Sequence, residues 1–243
     1  MTAHWQGLKH LPGNIPPDLK AVDQWLLWKA VPRGDRVDKV PYQVNGELAS
    51  STNPRTWTDY ETALAVLEES NGAYAGLGFV LTNTDDFAAL DFDHVVDPET
   101  GALNPAVDRA VGSLHSYAEW SPSGTGVRVI LRGGLPNGAV TSETLQAWDW
   151  GRFVTITGHS LNGSAVLAPD ADTLKSVIGY FSPPKERSAT GGEAPERSEW
   201  VDNILTGKVL HDSLLRLTGS LVAKGVPQRD VEAMVRALKD QSA

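Results

Sequence analysis

Two aspartates, Asp91 and Asp93, end the apolar stretch FAALDFD and are well placed to do chemistry. Residues i and i+2 of a β-strand point to the same face, so both carboxylates would project side by side, with Phe92 packed behind them. Two carboxylates this close repel each other, and a divalent cation such as Mg²⁺ or Mn²⁺ usually resolves the repulsion. The spacing therefore indicates a metal site, and the alternative is a pair of solvated aspartates at a strand end.

A second candidate is the loop SPSGTGVR at residues 121–128, which lies between two strand-like segments. Hydroxyl and backbone N–H groups in such a loop can bind an anion, and an arginine at its end can pair with a phosphate. The loop lacks the Gly-Lys-Ser/Thr ending of an ATPase phosphate loop. An ordinary hairpin turn is the alternative. The candidate anion-binding residues are Ser121, Ser123, Gly124, Thr125, Gly126 and Arg128.

A third candidate is the segment QAWDWGRFVTITG at residues 146–158, in which Arg152 opens a strand. Arg152 is a candidate phosphate or template contact, and Asp149 is a candidate third carboxylate for the metal site. The indoles of Trp148 and Trp150 can stack on a base or a sugar. The alternative is that these tryptophans belong to the apolar core.

The charge distribution singles out the same part of the chain. The 243 residues carry a net charge of -9 and include no cysteine, which excludes disulfides and thiolate metal sites. Residues 61–120 hold eleven acidic residues and a single basic one, so they form either a solvated acidic face or a cation site. The start of the chain has no apolar signal region, and no segment is apolar enough to span a membrane, so we expect a cytoplasmic protein without a membrane partner.

The elements that position these residues follow from apolar patterning. Strands are predicted at residues 25–31, 76–82, 87–93, 127–132 and 152–157, and helices at 60–70, 104–115 and 171–180. The polar turn TNTDD between the strands at 76–82 and 87–93 predicts that they pair as a hairpin. Asn104 and Pro105 are a plausible cap and first-turn pair for the helix that follows them.

The composition changes after residue 181. Residues 182–198 (SPPKERSATGGEAPERS) are rich in Pro, Gly, Ser and charge and hold no large apolar residue, which is typical of a linker. Leucines then recur at helical spacing, and Pro227 opens a second helix. We therefore predict a catalytic domain at residues 1–181, a linker at 182–198 and a small helical domain at 199–243.

Taken together, these segments resemble the archaeo-eukaryotic-type primase-polymerases of phages and plasmids, in the branch where a primase-polymerase domain precedes a small helical domain. The resemblance covers most of the chain and depends on the order of the motifs, because each one is weak by itself. The matching segments are Trp28, the KVP step from Lys39, the TNPxxW stretch from Thr52 to Trp57, GLGFVL, LDFD, YAEWSPSGTGVRV, GRFVTITG and LHDSLLRLTGSLVAKGV.

The resemblance implies an α+β fold, with an RRM-like antiparallel sheet, flanking helices, an N-terminal α/β unit and a small helical C-terminal domain. It implies that Asp91 and Asp93 bind catalytic Mg²⁺ or Mn²⁺, and that the loop from Ser123 to Arg128, together with Arg152, holds a nucleoside triphosphate. The implied activity is template-dependent DNA primase and polymerase action in the replication of a mobile element. The implied partners are a single-stranded DNA template, nucleoside triphosphates and a replicative helicase in cis or in trans.

One departure from the family pattern concerns the third carboxylate. The family has a glutamate shortly before the aromatic residue and the arginine, and this chain has Gln146 near that position. A catalytically degenerate nucleic-acid-binding replication module is therefore the alternative function. A metal-dependent nuclease is a third hypothesis, but the six histidines are scattered, and His94 is the only one beside the aspartate pair.

Overall fold

The computed structural model describes residues 7–34, 36–163 and 165–182, together with Thr218, Val231 and Met234. The chain divides into two compact units, Met1–Lys185 and Glu186–Ala243. The predicted linker at 182–198 and the predicted helical domain at 199–243 lie almost wholly outside the described residues. Within the described part of the chain, no helix is long and apolar enough to cross a membrane.

Most of the secondary structure of the first unit is antiparallel sheet. In chain order, the strands are β1 (Trp25–Arg33), β2 (Arg36–Tyr42), β3 (Gly76–Leu81), β4 (Phe87–Phe92), β5 (Ala118–Trp120), β6 (Val127–Arg132), β7 (Val140–Thr141), β8 (Leu145–Trp148) and β9 (Arg152–Ile156). The α-helices are α1 (Pro17–Lys20), α2 (Tyr60–Glu69), α3 (Pro105–Leu114) and α4 (Ala171–Phe181). The predicted α+β class with antiparallel sheets is confirmed.

The strands form two sheets. The first has the order β2-β1-β3-β9 and the second has the order β5-β6-β4-β8-β7. All neighbouring strands run antiparallel. The N-terminal strands β1 and β2 therefore share a sheet with β9, which comes late in the chain.

The predicted hairpin between residues 76–82 and 87–93 is wrong. β3 pairs with β1 and β9, whereas β4 pairs with β6 and β8. Every residue of both strands is buried, because each strand lies inside its own sheet with a partner on both edges. The polar turn between them instead carries the chain from one sheet to the other, and the Asp85 carboxylate accepts a hydrogen bond from the Phe87 N–H at 2.8 Å.

Two apolar clusters hold the sheets in place. One joins α3 and α4 to the second sheet through residues such as Leu90, Val129 and Leu174. The other is a shared core, to which both sheets and α2 contribute, with Phe79, Ala89 and Ile130 among its members. The predicted helix at 104–115 is confirmed. The Asn104 side chain accepts a hydrogen bond from the Ala106 N–H, and the predicted apolar face is buried.

Candidate active site

A row of polar residues crosses the second sheet at one level. Glu119 of β5 pairs with Arg128 of β6, Arg128 pairs with Asp91 of β4, and Asp91 pairs with Gln146 of β8. Because side chains alternate along a strand, Asp91 shares its face with Ala89, a member of the shared core. The row therefore marks the point where the face that carries the shared core turns polar.

An ion pair is buried at the centre of this row. Arg128 is only 2% exposed, and its Nη2 donates a hydrogen bond to Asp91 Oδ2 at 2.7 Å. Arg128 Nη1 donates to Thr155 Oγ1 at 2.6 Å and also to the Thr155 carbonyl oxygen, so the guanidinium connects the second sheet to β9 of the first. Burial opposes the charge of Arg128, but Asp91 and Glu119 outweigh that effect and raise its pKa.

The two predicted metal-binding aspartates do lie together. Desolvation and the neighbouring Asp91 carboxylate raise the pKa of Asp93, as the sequence argument requires for two carboxylates at one place. Gln146 Nε2 donates a hydrogen bond to Asp93 Oδ2 at 3.2 Å. The other oxygen of Asp91, Oδ1, is buried and has no hydrogen-bond partner within the described residues.

The aspartates open into a cleft of about 250 Å³ between the sheets. Lys39 reaches it from β2, Arg152 from the start of β9, and Trp148 from β8. The Arg152 guanidinium lies 5.4 Å from the Trp148 ring centre, a distance typical of a cation–π contact. The Lys39 residue is exposed, yet desolvation of its ammonium group and repulsion from Arg128 lower its pKa. Two carboxylates and three cations, of which Arg128 is already paired with Asp91, thus line one solvent-accessible space.

The donor set fits a magnesium or manganese ion better than a metal that needs a complete protein shell. Among the described residues, no three His, Cys, Asp or Glu side chains come together at a metal-binding distance. Mg²⁺ commonly takes one or two carboxylates and completes its shell with water and substrate phosphate oxygens. The unpartnered Asp91 Oδ1 is a buried oxygen of the kind that such an ion would satisfy. Asp91 and Asp93 would be its protein ligands.

The Ser-Gly loop forms a tight turn that joins β5 to β6. Ser121 Oγ accepts a hydrogen bond from the Gly126 N–H at 3.1 Å, and the hydroxyls of Ser123 and Thr125 lie 2.9 Å apart. A Cβ at Gly126 would lie 2.6 Å from the Phe92 carbonyl oxygen, so the turn packs against the end of β4. The cleft is not lined by any of the five predicted residues of this turn, Ser121, Ser123, Gly124, Thr125 and Gly126. Ser123 and Thr125 are exposed, and the turn leads directly into β6, whose Arg128 does line the cleft.

Asp149 lies apart from the other candidate residues. Gln146 and Trp148 of β8 point into the cleft, so the alternation of the strand turns Asp149 away from it. The Asp149 carboxylate accepts a hydrogen bond from the Leu135 N–H at 3.0 Å.

Gln146 occupies the position opposite Asp91, where the family pattern leads one to expect a third carboxylate. His94 follows Asp93 with a left-handed backbone (φ 55°) and does not line the cleft.

Three polar residues of this site were not predicted from the sequence. Lys39 lies in the KVP segment, where nothing in the local sequence indicates a role in a site. Thr155 lies in a run of strand-forming residues, which does not indicate such a role either. Glu119 is fully buried, and its carboxylate accepts hydrogen bonds from the Tyr117 hydroxyl at 2.7 Å and from the Thr157 and Gly158 N–H groups. Desolvation raises the pKa of Glu119, whereas Arg128 opposes that effect. A glutamate inside the apolar run SYAEW was the available signal for a buried charge network.

Comparison with known proteins points to one group. No protein-family model matches the sequence. The DNA primase-polymerase of Nitratiruptor phage NrS-1 is 36% identical to it over 181 residues, which cover 68% of this chain. The chain spans about a quarter (23%) of the length of that relative. On this similarity, and with the two aspartates side by side as the motifs require, the chain belongs to the primase-polymerase family.

Proposed function

We propose that this protein is a DNA primase and polymerase of a phage or another mobile element, which joins nucleotides on a single-stranded template. The observation that carries the proposal is the cleft itself. Asp91 and Asp93 share one face of a strand end, one of their oxygens is buried without a partner among the described residues, and Lys39 and Arg152 line the same cleft. The name of the phage relative supports the same chemistry.

Each group in the cleft has a proposed role. Mg²⁺ or Mn²⁺ bound to the aspartates would activate the attacking 3′-hydroxyl and stabilise the leaving pyrophosphate. Lys39 and Arg152 bind and orient the triphosphate of the incoming nucleotide through charge-assisted hydrogen bonds. Arg128 holds Asp91 in place from inside the protein, and the Gln146 amide holds Asp93.

Further parts of the proposal concern the fold and the partners. The second sheet, with α3 and α4 packed on one of its faces, is the proposed RRM-like catalytic sheet. The Ser121–Gly126 turn is a proposed additional contact for the triphosphate through the exposed hydroxyls of Ser123 and Thr125. A replicative helicase, in cis or in trans, is the proposed protein partner.

A primer-synthesis assay tests this function. The full chain is incubated with a single-stranded DNA template, labelled deoxynucleotides or ribonucleotides, and either Mg²⁺, Mn²⁺ or EDTA. We expect labelled products that depend on both metal and template. A second reaction supplies a short annealed primer, so that extension is scored separately from initiation. The absence of product in every metal-containing reaction would reject the proposed activity.

A second candidate function is a binding module without catalysis. It is favoured by the neutral Gln146 opposite Asp91 and by the absence of a three-carboxylate group within the described residues. This candidate predicts template binding without nucleotide incorporation. Product formation that is lost on removing the aspartate charges would exclude it.

A further inference from the structure

Next to the catalytic cleft lies a second cavity of about 260 Å³. Three separate parts of the chain form it: the turn with Thr52 and Trp57, the β3–β4 turn with Asn83, and the β8–β9 turn with Trp150. Gly151 lines this cavity, and the next residue, Arg152, lines the catalytic cleft. The two cavities therefore adjoin at the start of β9.

Two indoles give the cavity a fixed aromatic lining. Trp150 is 60% exposed, which is unusual for so large an apolar side chain. The backbone beside it is fixed, because the Gly151 N–H donates to the Leu81 carbonyl oxygen at 3.0 Å and the Ser51 hydroxyl donates to the Gly151 carbonyl oxygen at 2.9 Å. Trp57 is anchored by its own Nε1–H, which donates to the Ser50 carbonyl oxygen at 2.6 Å.

The rest of the lining carries no charged side chain. It combines the apolar side chains of Pro54 and Leu81 with hydroxyl groups, backbone and the Asn83 side chain, whose amide makes no hydrogen bond within the described part of the chain. An uncharged lining offers nothing to neutralise a phosphate. A flat aromatic ring beside an amide that can both donate and accept suits a planar, neutral group with polar edges, which is the chemistry of a nucleobase.

We propose that this cavity takes one unpaired nucleobase, which stacks on Trp150 while its polar edge faces Asn83. The phosphate attached to that base would lie toward Arg152 and the catalytic cleft. The proposal rests on the proposed function, because it names a subsite of the same nucleotide-handling surface. The base belongs either to a single strand of DNA or to a free nucleotide, and the two sources share the same recognition chemistry.

Binding measurements on the full chain separate these sources. The first arm measures the affinity for a fluorescent single-stranded oligonucleotide in EDTA, which removes any dependence on catalysis. The second arm measures the affinity for a deoxynucleoside triphosphate with Mn²⁺. The variants are Trp150→Ala, the stacking-competent Trp150→Phe, and Tyr180→Ala as a control at another exposed aromatic residue, on α4 (68% exposed).

We expect Trp150→Ala to weaken one of the two probes roughly tenfold, with Trp150→Phe close to wild type and Tyr180→Ala unchanged. Loss in the oligonucleotide arm alone assigns the cavity to a base of the strand, and loss in the triphosphate arm alone assigns it to the incoming nucleotide. Unchanged affinity in both arms for a folded Trp150→Ala variant overturns the proposal. Because the first arm needs no metal and no synthesis, its result stands even if the primer-synthesis assay fails.

Discussion

The aspartate cleft and the Ser-Gly turn are both rich in groups that could bind phosphate, yet they differ in how those groups are used. In the turn, the hydroxyls of Ser121, Ser123 and Thr125 bond to one another or to nearby backbone. In the cleft, the second oxygen of Asp91 is buried without a partner among the described residues, and burial together with the neighbouring Asp91 carboxylate raises the pKa of Asp93.

This difference separates two kinds of polar motif. A turn whose groups satisfy one another is stable without a ligand, so its polar residues do not by themselves require one. A buried carboxylate oxygen without a partner, next to a second carboxylate, costs free energy unless a further cation or a hydrogen-bond donor satisfies that oxygen. Both motifs are candidate phosphate-binding or metal-binding sites by residue type. The cleft is the stronger candidate because it contains a buried oxygen without a hydrogen-bond partner among the described residues, whereas the hydroxyls of the turn are paired.

The largest expected effect comes from removing the charges in the cleft. Asp91→Asn combined with Asp93→Asn preserves volume but removes both proposed metal ligands. We expect nucleotide incorporation to fall by more than about 1000-fold, since metal-based stabilisation contributes several kcal/mol. Incorporation is measured in the primer-synthesis assay.

The matched control for this variant is Asp97→Asn, at an exposed aspartate of the same acidic stretch that caps its own turn through the Glu99 and Thr100 N–H groups. It should keep activity within about twofold of wild type, as expected for a surface change of little energetic weight. Equal losses in the two variants would mean that the acidic stretch acts only through its overall charge.

The next effect concerns stability. Arg128→Met leaves Asp91 and Glu119, which lie on the two strands that flank Arg128, buried without their shared cation, and breaking a buried pair in this way costs about 3–5 kcal/mol. Arg132→Met on the same strand removes ion pairs to Asp18 and Asp86 that are open to solvent, and such pairs contribute about 1 kcal/mol or less. Denaturant unfolding of both variants measures the difference. A similar loss for the two would contradict the buried network.

Lys39 and Arg152, which line the cleft, should affect substrate binding more than folding. Lys39→Met and Arg152→Met each remove one proposed triphosphate contact, and we expect the KM for nucleotide to rise about tenfold, with a weaker dependence on salt. Lys175→Met, at an exposed lysine on α4, is the control and should leave KM unchanged. An unaltered KM in both cleft variants would place the triphosphate elsewhere.

Gln146→Glu sharpens the comparison by adding a charge to the cleft. The new carboxylate would lie opposite Asp91, so we expect Mn²⁺ to bind several-fold more tightly, because another anionic ligand is available. Without metal the same variant should unfold at a lower denaturant concentration, since a third negative charge repels the other two. Gln43→Glu, directly after the end of β2, tests whether an added negative charge outside the cleft is enough to tighten Mn²⁺ binding. Titration calorimetry with Mn²⁺ reads out both variants.

The smallest effect is expected at the turn. Ser123→Ala and Thr125→Ala each remove one neutral hydroxyl, and we expect KM for nucleotide to rise by at most about fivefold, the value of a single neutral hydrogen bond. Steady-state kinetics on the two single variants provide the measurement. A loss as large as that of the paired aspartate variant would make the turn, not the cleft, the main phosphate site.

Local patterning predicted much of the fold. The apolar runs located β1, β3, β4, β6 and β9, and the period of 3.6 residues located α3 with its cap. The hairpin prediction failed because a polar turn between two buried strands is equally compatible with a crossing from one sheet to another. The strand pairing that distinguishes these cases depends on contacts between distant parts of the sequence.

The site was predictable only where its residues are close in sequence. The i, i+2 rule placed Asp91 and Asp93 on one face, but Lys39 and Thr155 join them through β2 and β9, far away along the chain. The same alternation on β8 turns Asp149 away from the cleft, and this could be seen only once the limits of β8 were known. A one-residue uncertainty in strand register reverses the face of every side chain.

Calorimetric titration of a nucleoside triphosphate into the full chain, with and without Mn²⁺, tests most directly whether the aspartate pair and a nucleotide share a cation. We predict measurable binding that requires Mn²⁺ and disappears when Asp91→Asn and Asp93→Asn are combined. Binding that is equally strong without the metal, or that persists unchanged in the double variant, would contradict the proposed site.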